Sequence, residues 1–431
     1  MTDRRRDYPG AAETRPRPRS IMSGLTRLAV ETPRDVGAVA DGPGFDLVVA
    51  DASWVWTERL FSPLADLGIR VLLFKACDWR NAIHQKRPWR DWLTAVQRDG
   101  EHLWQRQFVL PPGWMKTYPR IGMRPLARAA RRWHRSLDRP RPLALAISYP
   151  HYLYLRDLLK PSSLLYYNMD DYGFYWSARE EAIRRLERLT VQQADLSVFC
   201  AKVRADEWQA KEPEASDRIV HLPHGAPSSA IAPAPRPRPG PAPDDLANRP
   251  RPYLGFVGSL EDRLDWTLVA RVADAFPGGT VVLIGREPAP VKADWYAEYR
   301  AAVSRPNVVR MGWKTQDEIA RYNATFDVCL IPYDVEHPFN RVACPTKLMD
   351  YMATSRPVVS TALPECRLHD RLFAIAESHE GFIAAITSIV DRGSDDGLAA
   401  ERWQFARDWT WERAAAELLR RFRSAIDKRP R

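Results

Sequence analysis

Short apolar runs separated by helical patterns recur along this chain, break once at a proline-rich stretch, and then begin again. The first series is Phe45–Ala50 (FDLVVA), Arg70–Phe74, Leu143–Ser148, Ser163–Met169, Leu196–Cys200 and Ile219–Leu222. Runs this short and apolar on both faces have the pattern of strands covered on both sides. Helical patterns lie between them, notably Thr57–Leu67 and Ala178–Ala194. From Ala226 to Pro252 the rhythm stops, and the core of that stretch reads APAPRPRPGPAPDDLANRPRP. Proline fixes φ and removes a backbone donor, so such a segment stiffens a linker and builds no core. The second series is Tyr253–Val257, Thr280–Ile284, Val308–Met311, Asp327–Ile331 and Pro357–Ser360, with helices expected at Trp266–Ala275, Thr315–Asn323 and Thr346–Ala353. Strands alternating with helices predict an α/β fold of doubly wound parallel sheets, and the single interruption predicts two Rossmann-like domains facing across a cleft.

The length of 431 residues suits two such cores. The expected divisions are a disordered basic arm (1–40), an N-terminal Rossmann-like domain (41–225), a linker (226–252), a second Rossmann-like domain (253–408) and a C-terminal helix (409–431). That helix, WTWERAAAELLRRFR at Trp409–Arg423, is amphipathic and could cross back to the first domain. No apolar stretch approaches the roughly 18 residues of a membrane span. Arg4, Arg5 and Arg6 lack the apolar segment of a secretory signal behind them, so a cytoplasmic chain is expected. The five cysteines are scattered without CxxC or Cys/His spacing, which predicts reduced thiols with neither a disulfide framework nor a zinc site.

The net charge of +10 sits almost wholly in residues 1–240, which hold 38 Lys/Arg against 27 Asp/Glu. It is densest between Arg80 and Arg141, with 15 basic and four acidic residues and with Trp89, Trp92, Trp104, Trp114 and Trp133 among them. A basic, tryptophan-rich surface suits anionic lipid headgroups, so residues 80–141 are expected to meet an anionic membrane surface peripherally. A solvated face over core tryptophans would read the same way. Arg124–Leu137 sharpens the question, with Leu126, Ala130, Trp133 and Leu137 on one helical face and five arginines on the rest. Such a helix lies either in a membrane interface or on its own domain.

Two motifs can carry chemistry. In YLGFVGSL (Tyr253–Leu260) a strand runs into Gly258 and Ser259, where the backbone can approach a phosphate. Arg263 follows in EDRLD, and the next strand ends in LIGRE with Gly285 and Arg286. In Phe326–Ser360 a buried strand is followed by a loop with Asn340 and Arg341, and then by Pro345 and Thr346 opening a helix with Lys347, Asp350 and Tyr351. A helix start favours anions, Lys347 would add its ammonium, and Asp350 at i+3 could accept hydrogen bonds from ribose hydroxyls. An exposed Lys–Asp pair is the plain alternative.

At this point the sequence resembles a family. Tyr253–Cys366 looks like the C-terminal domain of GT-B glycosyltransferases, nearest to bacterial enzymes of exopolysaccharide and teichuronic-acid assembly. It is similar also to the glucuronosyltransferase of xanthan synthesis. The entry motif is matched by Gly258 through Asp265, and the block R–x–x–x–P–x–K–x–x–E–Y by Arg341, Pro345, Lys347, Asp350 and Tyr351. The resemblance implies diphosphate contacts for Arg341 and Lys347 and a ribose contact for the acidic residue. Asp350 stands where that block has glutamate, and Val342 stands where many retaining members carry a second one. SSLLYYNMDDYGFYWS (Ser162–Ser177), ADLSVFCAKVRADEW and HLPHGAP extend the likeness into the N-terminal half.

The implied reaction is transfer of a sugar from a nucleotide-sugar donor, UDP-linked, to a lipid-linked or membrane-proximal glycan, with no metal or other cofactor and no nucleic acid as partner. Asp170 and Asp171, at the end of an N-terminal strand, are base candidates beside their reading as a helix cap. His151 is the next candidate, and His224 near the linker could face the donor domain. A GT-B nucleotide-sugar epimerase and a catalytically degenerate scaffold remain as alternatives.

Overall fold

The computed structural model describes residues 44–84, 92, 94–174 and 179–428. The arm expected at 1–40, Trp89 and residues 175–178 lie outside them. The first sheet holds β1 (Asp46–Val49), β2 (Arg70–Asp78), β3 (Gln97–Arg98), β4 (Leu103–Leu110), β5 (Leu143–Ile147), β6 (Ser163–Asn168), β7 (Leu196–Phe199) and β8 (Ile219–His221). Its spatial order is β3-β4-β2-β1-β5-β6-β7-β8, parallel except for the β3–β4 pair. The second sheet holds β9 (Tyr253–Val257), β10 (Thr280–Ile284), β11 (Val308–Arg310), β12 (Val328–Ile331), β13 (Val358–Thr361) and β14 (Ala374–Ala376), ordered β11-β10-β9-β12-β13-β14 and parallel throughout. In both sheets the order reverses beside the first strand, β1 or β9. That is the point where open α/β sheets take ligands, at the carboxyl ends of the strands.

Both sheets are covered on both faces, which is why their strands are apolar runs without alternation. The helix Trp266–Ala275 starts at Asp265, whose Oδ1 accepts from the Leu268 amide at 2.8 Å, and Gln316–Thr325 starts with a capping box between Thr315 and Glu318. The last helix, Trp411–Asp427, buries Trp411, Leu418, Leu419 and Phe422 in the first sheet's core, so the chain ends on its N-terminal half. The proline-rich stretch is docked on the second half. Buried Arg356 donates to the Pro237 carbonyl at 2.8 Å and to the Phe326 carbonyl at 2.7 Å, and Leu246 is buried. Its carbonyls, which proline leaves without a ladder, are thereby partly satisfied.

Arg124–Ser136 is the helix foreseen, but its stripe of Leu126, Ala130 and Trp133 is buried in the first core, with Trp133 edge-on to Trp104 at 5.6 Å. The apolar face is spent on the domain's own interior, so it is not a membrane-inserting face. The arginines at 124, 128, 131, 132 and 135 remain exposed. Among the described residues no helix is long and apolar enough to cross a membrane.

Candidate functional site

The site begins where β9 ends. Gly258 has a φ of +154°, a conformation that side chains rarely adopt, and its amide donates to the Ile284 carbonyl at 2.9 Å. Gly285, at the end of β10, has the same φ, and a Cβ there would collide with the Gly258 carbonyl oxygen. The two strand-end loops pack back to back through these glycines, so Gly285 shapes the loop and Gly258 faces outward from it. Ser259 is exposed, and its amide makes no hydrogen bond among the described residues.

Lys347 faces this loop. Its side chain is buried, with the residue 7% exposed, and Nζ would lie 3.3 Å from a Cβ on Gly258. The ammonium donates to the Tyr333 hydroxyl and stands over the rings of Tyr333 (4.4 Å) and Phe256 (5.1 Å). Among the described residues no carboxylate forms a salt bridge with it. Burying an ammonium is costly, and a bound anion would offset part of that cost. The helix it opens, Lys347–Ala353, has only seven residues, and Thr346 makes no side-chain cap. The amides of Leu348 and Met349 turn back on the carbonyls of Pro345 and Thr346, so the side-chain charge outweighs the helix start expected to share its work.

Asp350 is half-buried one turn further on. Burial pushes its carboxyl up from 3.8 to about 6, while Arg59, Lys347 and His224 pull it back toward the charged form. Arg59 comes from the helix Val55–Phe61 of the N-terminal half, so this carboxylate lies where the halves meet. Arg263 is fixed beside the pocket, with Nε donating to Asn340 Oδ1 at 2.9 Å and its guanidinium 4.1 Å from the Phe339 ring centre. Arg341 does not join them. Its side chain is 54% exposed and paired with Glu336, and its Nε donates to the Val335 carbonyl at 3.3 Å.

The N-terminal half contributes its strand ends. After β6, Asp171 is held by Arg184 at 3.3 Å and accepts from the Gly173 amide at 3.1 Å, which ties it to the helix Glu180–Gln193. Asp170 instead acts on His224, Tyr167 and Tyr172. Four residues on, Phe174 packs against His337 (5.5 Å) and Phe339 (5.3 Å) of the loop after β12, which brings the Asp170 turn to the cleft. His151 stacks on Tyr149 at 5.1 Å, and its buried Nδ1 lacks a hydrogen-bond partner. Burial, Lys116 and Arg179 lower it to about 4, so it is a neutral imidazole at neutral pH.

Sequence reasoning passed over three groups here. Asp51 is a buried carboxyl just past β1, bonded by the Ser148 hydroxyl at 3.1 Å, and burial raises it. Arg59 had no motif around it. Cys200, His224 and Cys344 lack ligand spacing in sequence, yet their ligand atoms all lie within 4.8 Å of one another. A strand position alone signals only Asp51.

Comparisons with known proteins agree with this geometry. Residues 251–392 match the family profile described as "Glycosyl transferases group 1". TuaH of Bacillus subtilis (strain 168), a glycosyltransferase provisionally assigned to teichuronic acid biosynthesis, is 25% identical over 240 residues. That match covers 54% of this chain and 58% of the relative's length. Among solved structures, Anabaena Alr3699/HepE in complex with UDP and glucose superposes with a TM-score of 0.60 at 12% identity, covering 87% of this chain and 98% of the other. A UDP-forming α,α-trehalose-phosphate synthase from Burkholderia vietnamiensis does so with a TM-score of 0.59 at 13% identity, covering 90% and 100%. The two α/β sheets, their order and these likenesses place the chain in the GT-B fold, and residues 251–392 match the group 1 glycosyltransferase profile.

Proposed function

We propose that the chain is a glycosyltransferase of polysaccharide assembly, moving a hexosyl group from a UDP-linked donor to a lipid-linked or membrane-proximal glycan. The observation that carries this reading is the buried Lys347 ammonium over Gly258, at the point where the second sheet reverses its order. The relatives' names support the same class of donor: one is described with UDP and glucose, another as UDP-forming.

In this reading the diphosphate lies across Gly258 and Ser259 against Lys347, and Asp350 accepts from ribose hydroxyls. Arg263 lines the same loop. The acceptor oxygen forms its bond to the anomeric carbon as the bond to the diphosphate breaks. Asp170 takes the acceptor's proton, and the charge left on the diphosphate is met by Lys347. Those protein groups need no metal for the step. Neutral His151, between Lys116 and Arg179, lines the acceptor side.

The acceptor class and a peripheral site on the cytoplasmic membrane face rest on the surface of the N-terminal half. Ile83, Tyr118 and Ile121 are exposed within the stretch of 15 basic and four acidic residues, and exposed Trp79 stands just before it. Exposed aromatic and apolar groups among arginines suit an anionic lipid surface. The test is UDP release from a panel of UDP-sugars with a lipid-linked glycan acceptor in anionic vesicles. Acceptor-dependent release from one donor is expected. Release independent of acceptor, or interconversion of the donor sugar, would overturn the reading.

A further inference from the structure

The cluster of Cys200, His224 and Cys344 is unused by the reaction above. Cys200 follows β7, and His224 follows β8, both in the N-terminal half. Cys344 belongs to the donor-side loop three residues before Lys347. The three ligand atoms lie within 4.8 Å of one another, in a place closed on most sides. The imidazole stands between the rings of Trp56 (6.1 Å) and Trp411 (5.5 Å), and its Nδ1 is 3.3 Å from the buried Tyr167 hydroxyl. Those contacts leave the ring little freedom to turn, as the outer partners of metal-bound histidines do.

We infer that Cys200, His224 and Cys344 form a zinc-binding site that joins the two halves of the chain. Two thiolates and an imidazole are a soft, borderline donor set that suits zinc rather than magnesium or calcium. Zinc–ligand bonds of about 2.0–2.3 Å set the ligand atoms of a tetrahedral site roughly 3.5–3.8 Å apart. The observed cluster reaches that by small side-chain movements. Charge closes as well, since a divalent ion, two thiolates and a neutral imidazole sum to zero, the condition under which burial is cheapest. Zinc takes the place of the thiol protons of Cys200 and Cys344, so its binding releases two protons and changes no oxidation state. Three protein ligands leave the fourth position to a water molecule.

The site would fix the Cys344–Lys347 segment against the N-terminal half. The ion lies beside the donor pocket and takes no part in the transfer proposed above, so failure of one reading leaves the other standing.

The test uses the full chain, reduced and stripped with a chelator, and titrated with Co²⁺ and then Zn²⁺. One equivalent of Co²⁺ should give thiolate-to-cobalt charge transfer and the visible bands of a tetrahedral site, and one equivalent of Zn²⁺ should displace it and raise Tm. Cys200→Ser and Cys344→Ser should each weaken zinc by more than the ~10–100-fold typical of losing an outer partner. Cys77→Ser should bind as the native chain does. The wild-type spectrum stands even if a serine variant fails to fold. Absent charge transfer, binding that survives both serine variants, or a Cys200–Cys344 disulfide with no metal uptake after reduction would overturn the inference.

Discussion

The Lys347 ammonium lies 3.3 Å from the point where a Cβ would stand on Gly258. The position without a side chain and the position that supplies the charge are thus one feature, contributed by strand-end loops far apart in sequence. A ligand bound there meets backbone on one side and a buried cation on the other.

The two glycines of this loop should fail differently. Gly258→Ala puts a methyl group near the ammonium at a φ of +154°, so it should fold and lose UDP affinity by about 1–3 kcal/mol, the range for backbone strain of this kind. Gly285→Ala drives a Cβ into the Gly258 carbonyl, so it should lower Tm or prevent folding. Calorimetry and thermal melts separate the two outcomes.

The paired aspartates should separate as well. Asp170→Asn should abolish transfer while UDP binding stays intact. Asp171→Asn removes the partner of Arg184 and one turn contact, so it should keep turnover and lose about 1 kcal/mol of stability. Turnover and urea melts on both variants decide this.

Asp350 gives a pH signature of defined sign. The unfolded carboxyl titrates near 3.8 and the folded one at about 6, so between those values the folded chain holds a proton that the unfolded chain has lost. Stability from this group is therefore fullest below about pH 4 and falls as pH rises toward 6. Asp350→Asn should remove that part of the slope in urea melts across this window. Donor binding should run the other way, strengthening through about pH 6 as the carboxylate forms, with the asparagine variant flat relative to wild type.

Buried and surface roles of the arginine-rich helix can be measured apart. Trp133→Ala should cost about 3–5 kcal/mol, as for other buried aromatic truncations. Glutamate at both Arg128 and Arg132 should leave Tm nearly unchanged and weaken binding to anionic vesicles, as seen in co-sedimentation.

The sheets were legible because strands buried on both faces are written as apolar runs, and every run named in the sequence became a strand. β4 was not, because its outer half carries Trp104, Gln105, Arg106 and Gln107, half-buried near the sheet edge without an apolar run. That Gly258 and Lys347 share one corner of the second half follows from local backbone and charge, which the sequence displays. Arg341 sits on a loop, where an arginine can turn to any nearby carboxylate, here Glu336. The Arg124–Ser136 stripe fitted two partners equally, and only tertiary packing chose between them. Arg59 and the Cys200–His224–Cys344 cluster were invisible for a simpler reason: their neighbours come from the other half of the chain.

The most direct measurement is calorimetric titration of UDP into the full chain and into its Lys347→Ala variant. The account predicts one site per chain and an affinity loss of about 1–3 kcal/mol in the variant, the range for charge-assisted hydrogen bonds. Equal affinity in the two proteins, or no binding of UDP to the native chain, would contradict it.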